Sequence, residues 1–475
     1  MMLINSAFFM LFFARKFVIF VKSLQTMKGK LQDQVQRNLF RPILKEIINP
    51  KHELVILAKK IDWAFFENEF SNLYSETGRP SVPIRTIVGL LLLKQMHNLG
   101  DETVVEHWLQ NPYFQYFTGE REFQWKAPCD PSDFVHFRKR IGEQGAETIF
   151  KSSLEVRKDE IKGNDVVFDT TAQEKNITYP TDAKLLRKVI ERCQKIALQE
   201  NVILRQSYSR TLKSLLLKQR FAHHPKRKKE ARAALRKMRT IAGRLVRDLE
   251  RKLPPELLSE YNEQLVLMQK IIEQKRFDKN KIYSLHEPDV ACIAKGKAHK
   301  KFEFGSKVSI AILPKINIIV GVNNFNGNPN DTTTLEPALE AVEKYTGRKF
   351  KNAIVDRGYK GKKEINGVKI ISPKPPGQNQ HYSKRTSQKK CRSRAAVEPV
   401  IGHLKYDCRM IRNYLKGNIG NDMNALLAAA AYNYRGLLRK IKEDIILSIF
   451  YFGFLKKFKE VFKNKFFILN LNLTF

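Results

Sequence analysis

The chain has 475 residues, of which 43% are hydrophobic and 10% aromatic, and this is enough apolar material for two or three domains with buried cores. Such a composition excludes a disordered protein. The chain carries 86 Lys and Arg against 48 Asp and Glu, and its formal charge of +38 attracts polyanions, so nucleic acid is the first partner to consider. Its five cysteines form no C-x-x-C pair, which argues against a zinc cage or a disulfide framework and fits a reducing cytoplasm.

The first 21 residues, "MMLINSAFFMLFFARKFVIFV", are apolar and resemble a signal or anchor. Arg15 and Lys16 interrupt the apolar run before it reaches the roughly 20 residues that a membrane span needs. We therefore expect residues 1–26 to be a dispensable extension, with translation properly starting at Met27, and we expect no membrane partner; a targeting role is the alternative. The apolar, basic segment 443–475 is also too interrupted to span a bilayer and is predicted to be a packed or poorly ordered tail.

Residues 27–150 are predicted to be an all-helical N-terminal domain. The segment "SVPIRTIVGLLLLKQMHNL" is long and apolar, Gly100 follows it, and Asp101 is placed to cap a second helix, "DETVVEHWLQN". Two helices joined by a short turn are consistent with a DNA-binding helix-turn-helix. A helical bundle with no face for a DNA groove explains the same pattern equally well.

An α/β domain is predicted from two separated segments, 160–180 and 300–442. The first contains a short strand, "VVF", that ends at Asp169. The second contains two apolar runs joined by "PK", which predict a hairpin, then a helix, "TTLEPALEAVEKY", and another strand, "KNAIVD", that ends at Asp356. The chain thus leaves the α/β domain after its first strand and returns to it near residue 300.

The intervening segment, 181–299, is predicted to be helical and basic. Leu235, Met238, Ala242, Leu245 and Leu249 recur at alternating spacings of three and four, which marks one apolar face of a long helix. Residues 205–252 contain 17 Lys and Arg against three acids. This excess predicts a surface for the DNA backbone, although a solvated helix face is the alternative. The densest part of it is the basic run, which comprises Lys226, Arg227, Lys228 and Lys229.

Two carboxylates are predicted to meet at the edge of the sheet. Asp169 and Asp356 each end a predicted strand and are followed by turn-like residues, so neighbouring strands would bring them together. Two carboxylates so close repel each other unless a cation lies between them. Mg²⁺ prefers such oxygen ligands and shares its shell with phosphates, which predicts a metal site for phosphoryl transfer. The alternative is that each Asp caps a turn.

A third acid is sought downstream, in "CRSRAAVEPVIGHLKYD". Arg394, Glu398 and Lys405 would share one face of a continuous helix, and Pro399 restricts the start of that helix to about residues 395–398. Glu398 would then lie in the first turn, where it is either a metal ligand or a favourable charge at the helix dipole. Glu364 and Asp407 are the alternative third acids. His403 lies between Glu398 and Lys405 and is close enough in sequence to approach the site.

These motifs together resemble the DDE transposases of bacterial insertion sequences, and more narrowly the superfamily that groups insertion sequences four and five. The resemblance rests on "DTTAQEKNITYPTDAKLL", on "DRGYKG", and on the Arg, three residues, Glu, six residues, Lys spacing of residues 394, 398 and 405. It covers most of residues 40–440, including the helical N-terminal segment. One position departs from the family pattern, because Cys391 stands where the family has a Tyr; Tyr382 is near but out of register.

The resemblance implies a fold and a site. The fold would be an α/β RNase H-like catalytic core interrupted by a helical insertion, residues 181–299, and preceded by a helical domain for DNA binding or dimerisation. Asp169, Asp356 and Glu398 would bind two Mg²⁺ or Mn²⁺ ions, and Arg394 and Lys405 would contact DNA phosphates. His223 and His224, next to the basic run, are expected to be solvated.

The expected function is metal-dependent DNA cleavage at the ends of an insertion sequence, followed by transfer of the cut strand into target DNA. The partners would be double-stranded DNA, both terminal inverted repeats and target, and a second copy of the chain in an active dimer located with the nucleoid in the cytoplasm. Two other functions are consistent with the sequence. One is a nuclease of the same fold that only hydrolyses DNA, and the other is a DNA-binding regulator without catalysis.

Overall fold

The computed structural model describes residues 41–74, 81–294, 300–359, 363–373, 389 and 391–471, with the backbone alone for 449–471. Residues 1–26 and Tyr382 lie outside the described residues. The helices are α1 (Leu44–Ile47), α2 (Glu53–Lys60), α3 (Trp63–Ser71), α4 (Ile84–Met96), α5 (Asp101–Gln110), α6 (Pro112–Phe117), α7 (Pro131–Glu155), α8 (Asp182–Gln199), α9 (Ser209–Gln219), α10 (Lys228–Lys252), α11 (Pro255–Glu273), α12 (Asp331–Thr346), α13 (Val397–Tyr406) and α14 (Gly417–Leu471). The strands are β1 (Asp165–Lys175), β2 (Ala291–Ala294), β3 (Phe302–Leu313), β4 (Ile318–Phe325), β5 (Asn352–Ile354), β6 (Glu364–Ile365), β7 (Val368–Ile371) and β8 (Arg412–Asn413).

The N-terminal helices form a packed bundle. In α4 every residue except Arg85 is buried, so this helix has no face for a DNA groove. The next helix, α5, exposes Glu102 and Glu106, whose charges repel a phosphate backbone. Of the two possibilities that the sequence left open, these observations favour the bundle over a helix-turn-helix.

Asp101 does not cap α5 in the way that the sequence predicted. It is the first residue of the helix, after Gly100, and its carboxylate instead pairs with Lys94 Nζ at 2.6 Å and with Arg138 Nη2 at 2.8 Å. These two cations come from α4 and α7 and are largely buried. Because a buried cation needs a partner, the carboxylate of Asp101 is favourable beside these two side chains.

The sheet is mixed. Its strand order is β2-β3-β1-β5-β7-β6, with β4 also pairing with β3 and β8 with β1. The predicted hairpin is β3 and β4, which pair antiparallel, and the predicted helix after it is α12. At the centre, β1 is antiparallel to β3 and parallel to β5, and β5 is parallel to β7.

Among the described residues, two hydrophobic cores organise the structure. One runs continuously through the N-terminal helices, the sheet and α14, from Leu54 to Ile441. The other lies within α8 to α11 and the segment after them, from Leu185 to Ile282. Residues 182–273, called the helical region below, thus pack around a core of their own, and Met238, Ala242, Leu245 and Leu249 of α10 are buried in it as predicted.

The chain enters and leaves the helical region at a buried ion pair. Lys175 at the end of β1 and Glu287 after α11 place their charged groups 3.3 Å apart, and their side chains are 3% and 8% exposed. Lys175 Nζ also donates to the carbonyl of Gly417 at the start of α14. A buried pair of this kind is costly to break, so it holds the helical region's two ends against the sheet.

None of the described helices is both long and apolar enough to cross a membrane.

Candidate active site

Asp169 lies on β1, and Asp356 follows the end of β5, the strand directly beside β1 and parallel to it. The register of β1 and β5 places Val167 opposite Ile354, and each aspartate follows two residues later along its own strand direction. Asp356 comes after β5 has ended, as the sequence predicted. The prediction that Asp169 ends its strand was wrong, because β1 continues to Lys175. The reason is that Thr170, Thr171 and the residues after them keep pairing with β3 on the other side of the strand.

Each of these carboxylates is held by a backbone N–H group. Asp169 Oδ1 accepts from Thr170 N at 2.8 Å, and Asp356 Oδ1 accepts from Gly358 N at 2.7 Å. Space at Gly358 is tight: a β-carbon there would lie 3.0 Å from Asp356 Oδ1, closer than an ordinary van der Waals contact. The glycine of "DRGY" therefore lets the backbone approach the carboxylate that it binds.

Arg394 lies between Asp169 and Glu398. Its Nη1 is 3.5 Å from Asp169 Oδ2, and its Nη2 is 3.6 Å from Glu398 Oε1. A short 3₁₀ turn, Arg394–Ala396, leads into α13, so Glu398 lies in the first turn of the helix, where Pro399 is tolerated. The side chain of Glu398 is 68% exposed. The Arg394 guanidinium is thus the positive charge that links Asp169 to Glu398, and the two carboxylates do not contact each other through it directly.

Lys405 lies about two turns beyond Glu398 along α13. Its Nζ is 4.0 Å from Glu303 Oε2, on buried β3. Within the part of the chain that the structure describes, no group of three His, Cys, Asp or Glu side chains stands close enough to hold a metal ion. The structure therefore brings Asp169 and Asp356 to one place and links Glu398 to it by Arg394, and the predicted ligand set stays a prediction.

A carboxylate that sequence reasoning missed belongs to this place. Asp331 is the first residue of α12, and its Oδ1 lies 2.8 Å from both Thr170 Oγ1 and Lys307 Nζ. Its Oδ2 would be 3.1 Å from a β-carbon at Gly358. In the sequence, Asp331 looks like any acid in the first turn of a helix, so only the fold reveals it. We call Asp169, Asp331 and Asp356 together the acidic edge.

Tyr359 reports on the electrostatics of the acidic edge. Its side chain is buried directly after Gly358. Burial raises the pKa of the Tyr359 phenol, and the negative charges of Asp331, Asp169 and Asp356 raise it further. All three carboxylates therefore act on the same buried ring.

The alternative site residues lie elsewhere. Asp407 follows the end of α13, where its Oδ2 is 2.8 Å from His403 Nδ1 and 3.3 Å from Arg435 Nη2. His403 is thus engaged with Asp407. Glu364 is exposed on β6, the outermost strand beyond β7. Cys391, at the position of the family Tyr, is partly buried.

The basic run lies on the surface of the helical region. Lys226 and Arg227 belong to a 3₁₀ turn, and Lys228 and Lys229 begin α10; all four are exposed. His223 and His224 beside them are exposed as well. Further along the same helix, a cavity of about 530 Å³ is lined by four arginines and one acid, Arg205, Arg244, Arg247, Arg251 and Asp248. Positive charge therefore extends from the start of α10 to its end.

Comparisons with known proteins identify the class of protein. Residues 42–140 match the model described as a transposase domain (DUF772), and residues 284–434 match the model described as a transposase DDE domain. A curated relative from Rhizobium meliloti, "Uncharacterized protein ORF8 in nfe locus", is 42% identical over 196 residues, which are 40% of this chain and 94% of the relative. No solved structure matches the chain.

The chain belongs to the DDE transposases of insertion sequences, and its function is that of a transposase. The matched DDE segment contains Asp356, Arg394, Glu398 and Lys405. It begins after the helical region, whereas Asp169 on β1 precedes that region.

Proposed function

We propose that this transposase cuts DNA at the ends of its element and joins the freed 3′-hydroxyl to target DNA, with Asp169, Asp356 and Glu398 as its acidic site. The observation that supports the proposal is the register of β1 and β5, in which Val167 pairs with Ile354, two residues before Asp169 and Asp356 respectively. We further propose that the sheet has an RNase H-like fold and that the chain belongs to the superfamily that groups insertion sequences four and five.

The proposed cofactor is Mg²⁺ or Mn²⁺, in a pair. The residues fit such ions in chemistry, because carboxylate oxygens are the ligands that these cations prefer. They also fit in charge, because the Arg394 guanidinium already occupies a cationic position between Asp169 and Glu398. When bound, the two ions would activate the attacking oxygen and stabilise the leaving oxygen of an in-line displacement.

The protein's own side chains orient the reactants. Backbone N–H groups bind one oxygen of Asp169 and one of Asp356, and the guanidinium of Arg394 lies 3.5 Å from the second oxygen of Asp169. Arg394 and Lys405, both on or just before α13, are the proposed contacts for the phosphates of the element's end. Arg394 would have to leave at least one of its carboxylate partners to bind a phosphate, because its guanidinium faces both.

The helical region is proposed to be an insertion that holds DNA by its backbone. Residues 205–252 have a net charge of +14, and the basic run at the start of α10 is exposed. Lysine and arginine at a surface bind phosphates with little regard to base sequence. The cavity lined by Arg205, Arg244, Arg247 and Arg251 would extend this contact along the helix.

The active form is proposed to be a dimer, because two element ends must be cut and joined together. A complex with two copies of the chain and two ends would give each end an acidic site of its own. Its site of action would be the nucleoid, in the cytoplasm. Mass measurement of the complex with end DNA tests the stoichiometry.

The decisive experiment uses labelled DNA duplexes taken from the sequences that flank the gene, a target plasmid, and Mg²⁺ or Mn²⁺. We expect the wild-type protein to release the ends and to produce joined product, whereas Asp356→Asn should bind the ends and produce neither. Nicking without joining would identify a nuclease. Binding by both proteins without any cleavage would identify a regulator, and either result would overturn the proposal.

A further inference from the structure

Asp331 connects three elements of the acidic edge. Its Oδ1 accepts a hydrogen bond from Thr170 Oγ1 on β1 and pairs with Lys307 Nζ on β3, both at 2.8 Å. Lys307 Nζ also donates to the carbonyl of Pro329, 2.7 Å away, just before α12. The start of the helix is therefore fastened to both central strands of the sheet.

Asp331 hydrogen-bonds one of the residues that hold the predicted metal ligands, Thr170, and its Oδ2 lies near the other, Gly358. Thr170 binds Asp169 through its backbone N–H and Asp331 through its hydroxyl. Gly358 binds Asp356 through its backbone N–H, and the space above its α-carbon is bounded by Asp356 Oδ1 at 3.0 Å and by Asp331 Oδ2 at 3.1 Å. The carboxylate of Asp331 thus binds the support of Asp169 and lies beside the support of Asp356.

One carboxylate oxygen of Asp331, Oδ1, already has a cationic partner, Lys307. Its Oδ1 is shared by a hydroxyl and an ammonium group, which is the arrangement of a carboxylate that supports its neighbours. Its Oδ2 faces Gly358 and adds negative charge beside Asp356. Outer hydrogen-bond partners of this kind orient metal-binding side chains, and their loss typically costs about 10- to 100-fold in metal affinity or activity.

We propose that Asp331 is a positioning residue of the acidic edge: through Thr170 and the turn at Gly358, it holds Asp169 and Asp356 in the relative placement that divalent cations need. This inference rests on the proposed function, because it presupposes that the two aspartates bind metal. Neither family match nor sequence pattern assigns a role to Asp331.

The test measures Mn²⁺ affinity on the full-length protein without DNA, by calorimetry or by electron paramagnetic resonance. Asp331→Asn keeps the shape of the side chain and removes its charge, and we expect it to weaken Mn²⁺ binding by about 10- to 100-fold. The matched control is Asp182→Asn. Asp182 is also the first residue of a helix, α8, and also pairs with a lysine, Lys281 at 3.2 Å, but it lies outside the acidic edge. We expect its Mn²⁺ affinity to equal that of the wild type.

A second pair of variants separates positioning from general stability. Thr170→Val replaces the hydroxyl by a methyl group of similar size and should reproduce the loss of Mn²⁺ affinity, whereas Thr170→Ser keeps the hydroxyl and should restore most of it. Thermal melts confirm that each variant is folded at the temperature of the binding measurement. A purely structural role would lower the melting temperature and leave the Mn²⁺ affinity of the folded protein unchanged.

The outcomes distinguish this inference from the proposed function. Wild-type protein that binds no Mn²⁺ and cuts no end DNA would overturn both. Wild-type binding together with an Asp331→Asn affinity equal to that of Asp182→Asn would overturn the positioning role alone. Complete loss of Mn²⁺ binding in Asp331→Asn, equal to the loss in Asp356→Asn, would make Asp331 a ligand and would also overturn it.

Discussion

The acidic edge and the helical region use charge in opposite ways. At the acidic edge each aspartate has named partners at hydrogen-bond distance: Thr170 for Asp169, Gly358 for Asp356, and Thr170 with Lys307 for Asp331. In the helical region, the basic run is exposed and accompanied by only three acids between residues 205 and 252. The function proposed for the acidic edge depends on the position of single atoms, whereas that of the helical region depends on the summed electrostatic field of many charges.

This difference predicts different responses to mutation. A site that depends on geometry loses its function when one group is removed, because the other groups then lack a partner. A surface that depends on summed charge loses affinity in small, similar steps and is screened by salt. The two cores of the molecule, one under the sheet and one inside the helical region, allow each region to be altered with little effect on the packing of the other.

The largest effect is expected at Glu398, the acid that Arg394 links to Asp169. Glu398→Gln keeps the shape of the side chain and removes its charge, so it should reduce cleavage of end DNA by at least about 10²- to 10³-fold, the loss typical of removing one group that stabilises a transition state. Binding of the same DNA should stay nearly unchanged, since the basic surfaces are intact. Cleavage and binding are measured side by side on one labelled end.

The alternative for Glu398 gives a different result. If the residue only complements the dipole of α13, the substitution should cost about 0.3 to 1 kcal/mol of stability and leave cleavage running. Asp356→Asn is the reference for full loss. A Glu398→Gln protein that still cuts would remove this residue from the site.

A smaller loss is expected at Gly358, where geometry rather than charge is changed. In Gly358→Ala the new methyl group would lie 3.0 Å from Asp356 Oδ1 and 3.1 Å from Asp331 Oδ2, so one of the carboxylates must move by a few tenths of an ångström. We expect Mn²⁺ affinity and cleavage rate to fall by about 10-fold, the lower end for a disturbed support. Both are measured as for Asp331→Asn.

Gly402→Ala is the matched control for this substitution. Gly402 lies in α13, and a β-carbon there would meet nothing within 4 Å. Alanine should stabilise the helix by up to about 1 kcal/mol and leave the site unchanged. Equal activity of Gly358→Ala and Gly402→Ala would show that the close approach of the backbone to Asp356 at Gly358 is not needed for cleavage.

Local sequence signals predicted the elements but not every neighbour at the acidic edge. The β-branched and aromatic residues Val166 to Phe168 and the apolar runs of β3 and β4 predicted strands, and "DRGY" predicted the turn after β5, because these patterns depend on neighbours in sequence. The end of β1 was misjudged at Asp169, because its continuation depends on pairing with β3, which lies more than 130 residues away. Pairings of such separation leave no local periodicity.

Asp331 and Asp101 illustrate the same limit for side chains. Both stand at the first position of a helix and both would be interpreted as favourable charges there. The structure instead directs Asp101 to Lys94 and Arg138, and Asp331 to Thr170 and Lys307. Their partners come from other elements, so only the fold distinguishes a helix-end charge from a member of a site.

The effect of the basic run is expected to be moderate and additive. Replacing Lys226, Arg227, Lys228 and Lys229 by alanine should weaken DNA binding without changing sequence preference, because phosphate contacts position a protein and base contacts specify it. The slope of log K against log salt should flatten by about 0.9 for each phosphate of duplex DNA that the variant no longer neutralises. Titrations at several salt concentrations, with element-end and unrelated duplexes, measure both quantities.

Lys158→Ala is the control for charge removal away from the helical region. Lys158 is exposed and pairs with Glu155, three residues before it. We expect it to leave the salt slope unchanged. A slope that is also unchanged in the fourfold variant would assign the basic run to a solvated face. The summed charge of the basic run would then have no role in DNA binding.

The smallest effect concerns an acid of the sheet region that no metal or DNA is proposed to use. Asp422, near the start of α14, lines a cavity of about 370 Å³ together with Glu143, Glu147 and Glu340. Burial raises the pKa of Asp422 from 3.8 to about 6, while a hydrogen bond from Asn324 lowers it and the charge of Glu143 raises it. Because the folded-state pKa lies above the unfolded one, the unfolded chain releases this proton first. Wild-type stability should thus fall as pH rises from about 4 to 6 and stay reduced above that range.

Removing the ionisable group at Asp422 tests this pH dependence. Asp422→Asn, which cannot ionise, should match the wild type near pH 4 and exceed it at pH 7 by about 1 kcal/mol, since partial solvent exposure screens the penalty. Urea denaturation at both pH values measures the difference, and Asp444→Asn, exposed on the same helix, reports the effect of losing a charge at the surface. An Asp422→Asn protein that is no more stable than the wild type at pH 7 would mean that this cluster of acids does not lower the free energy of unfolding. The hydrogen bonds and ion pairs of the acidic edge would then serve function and not stability.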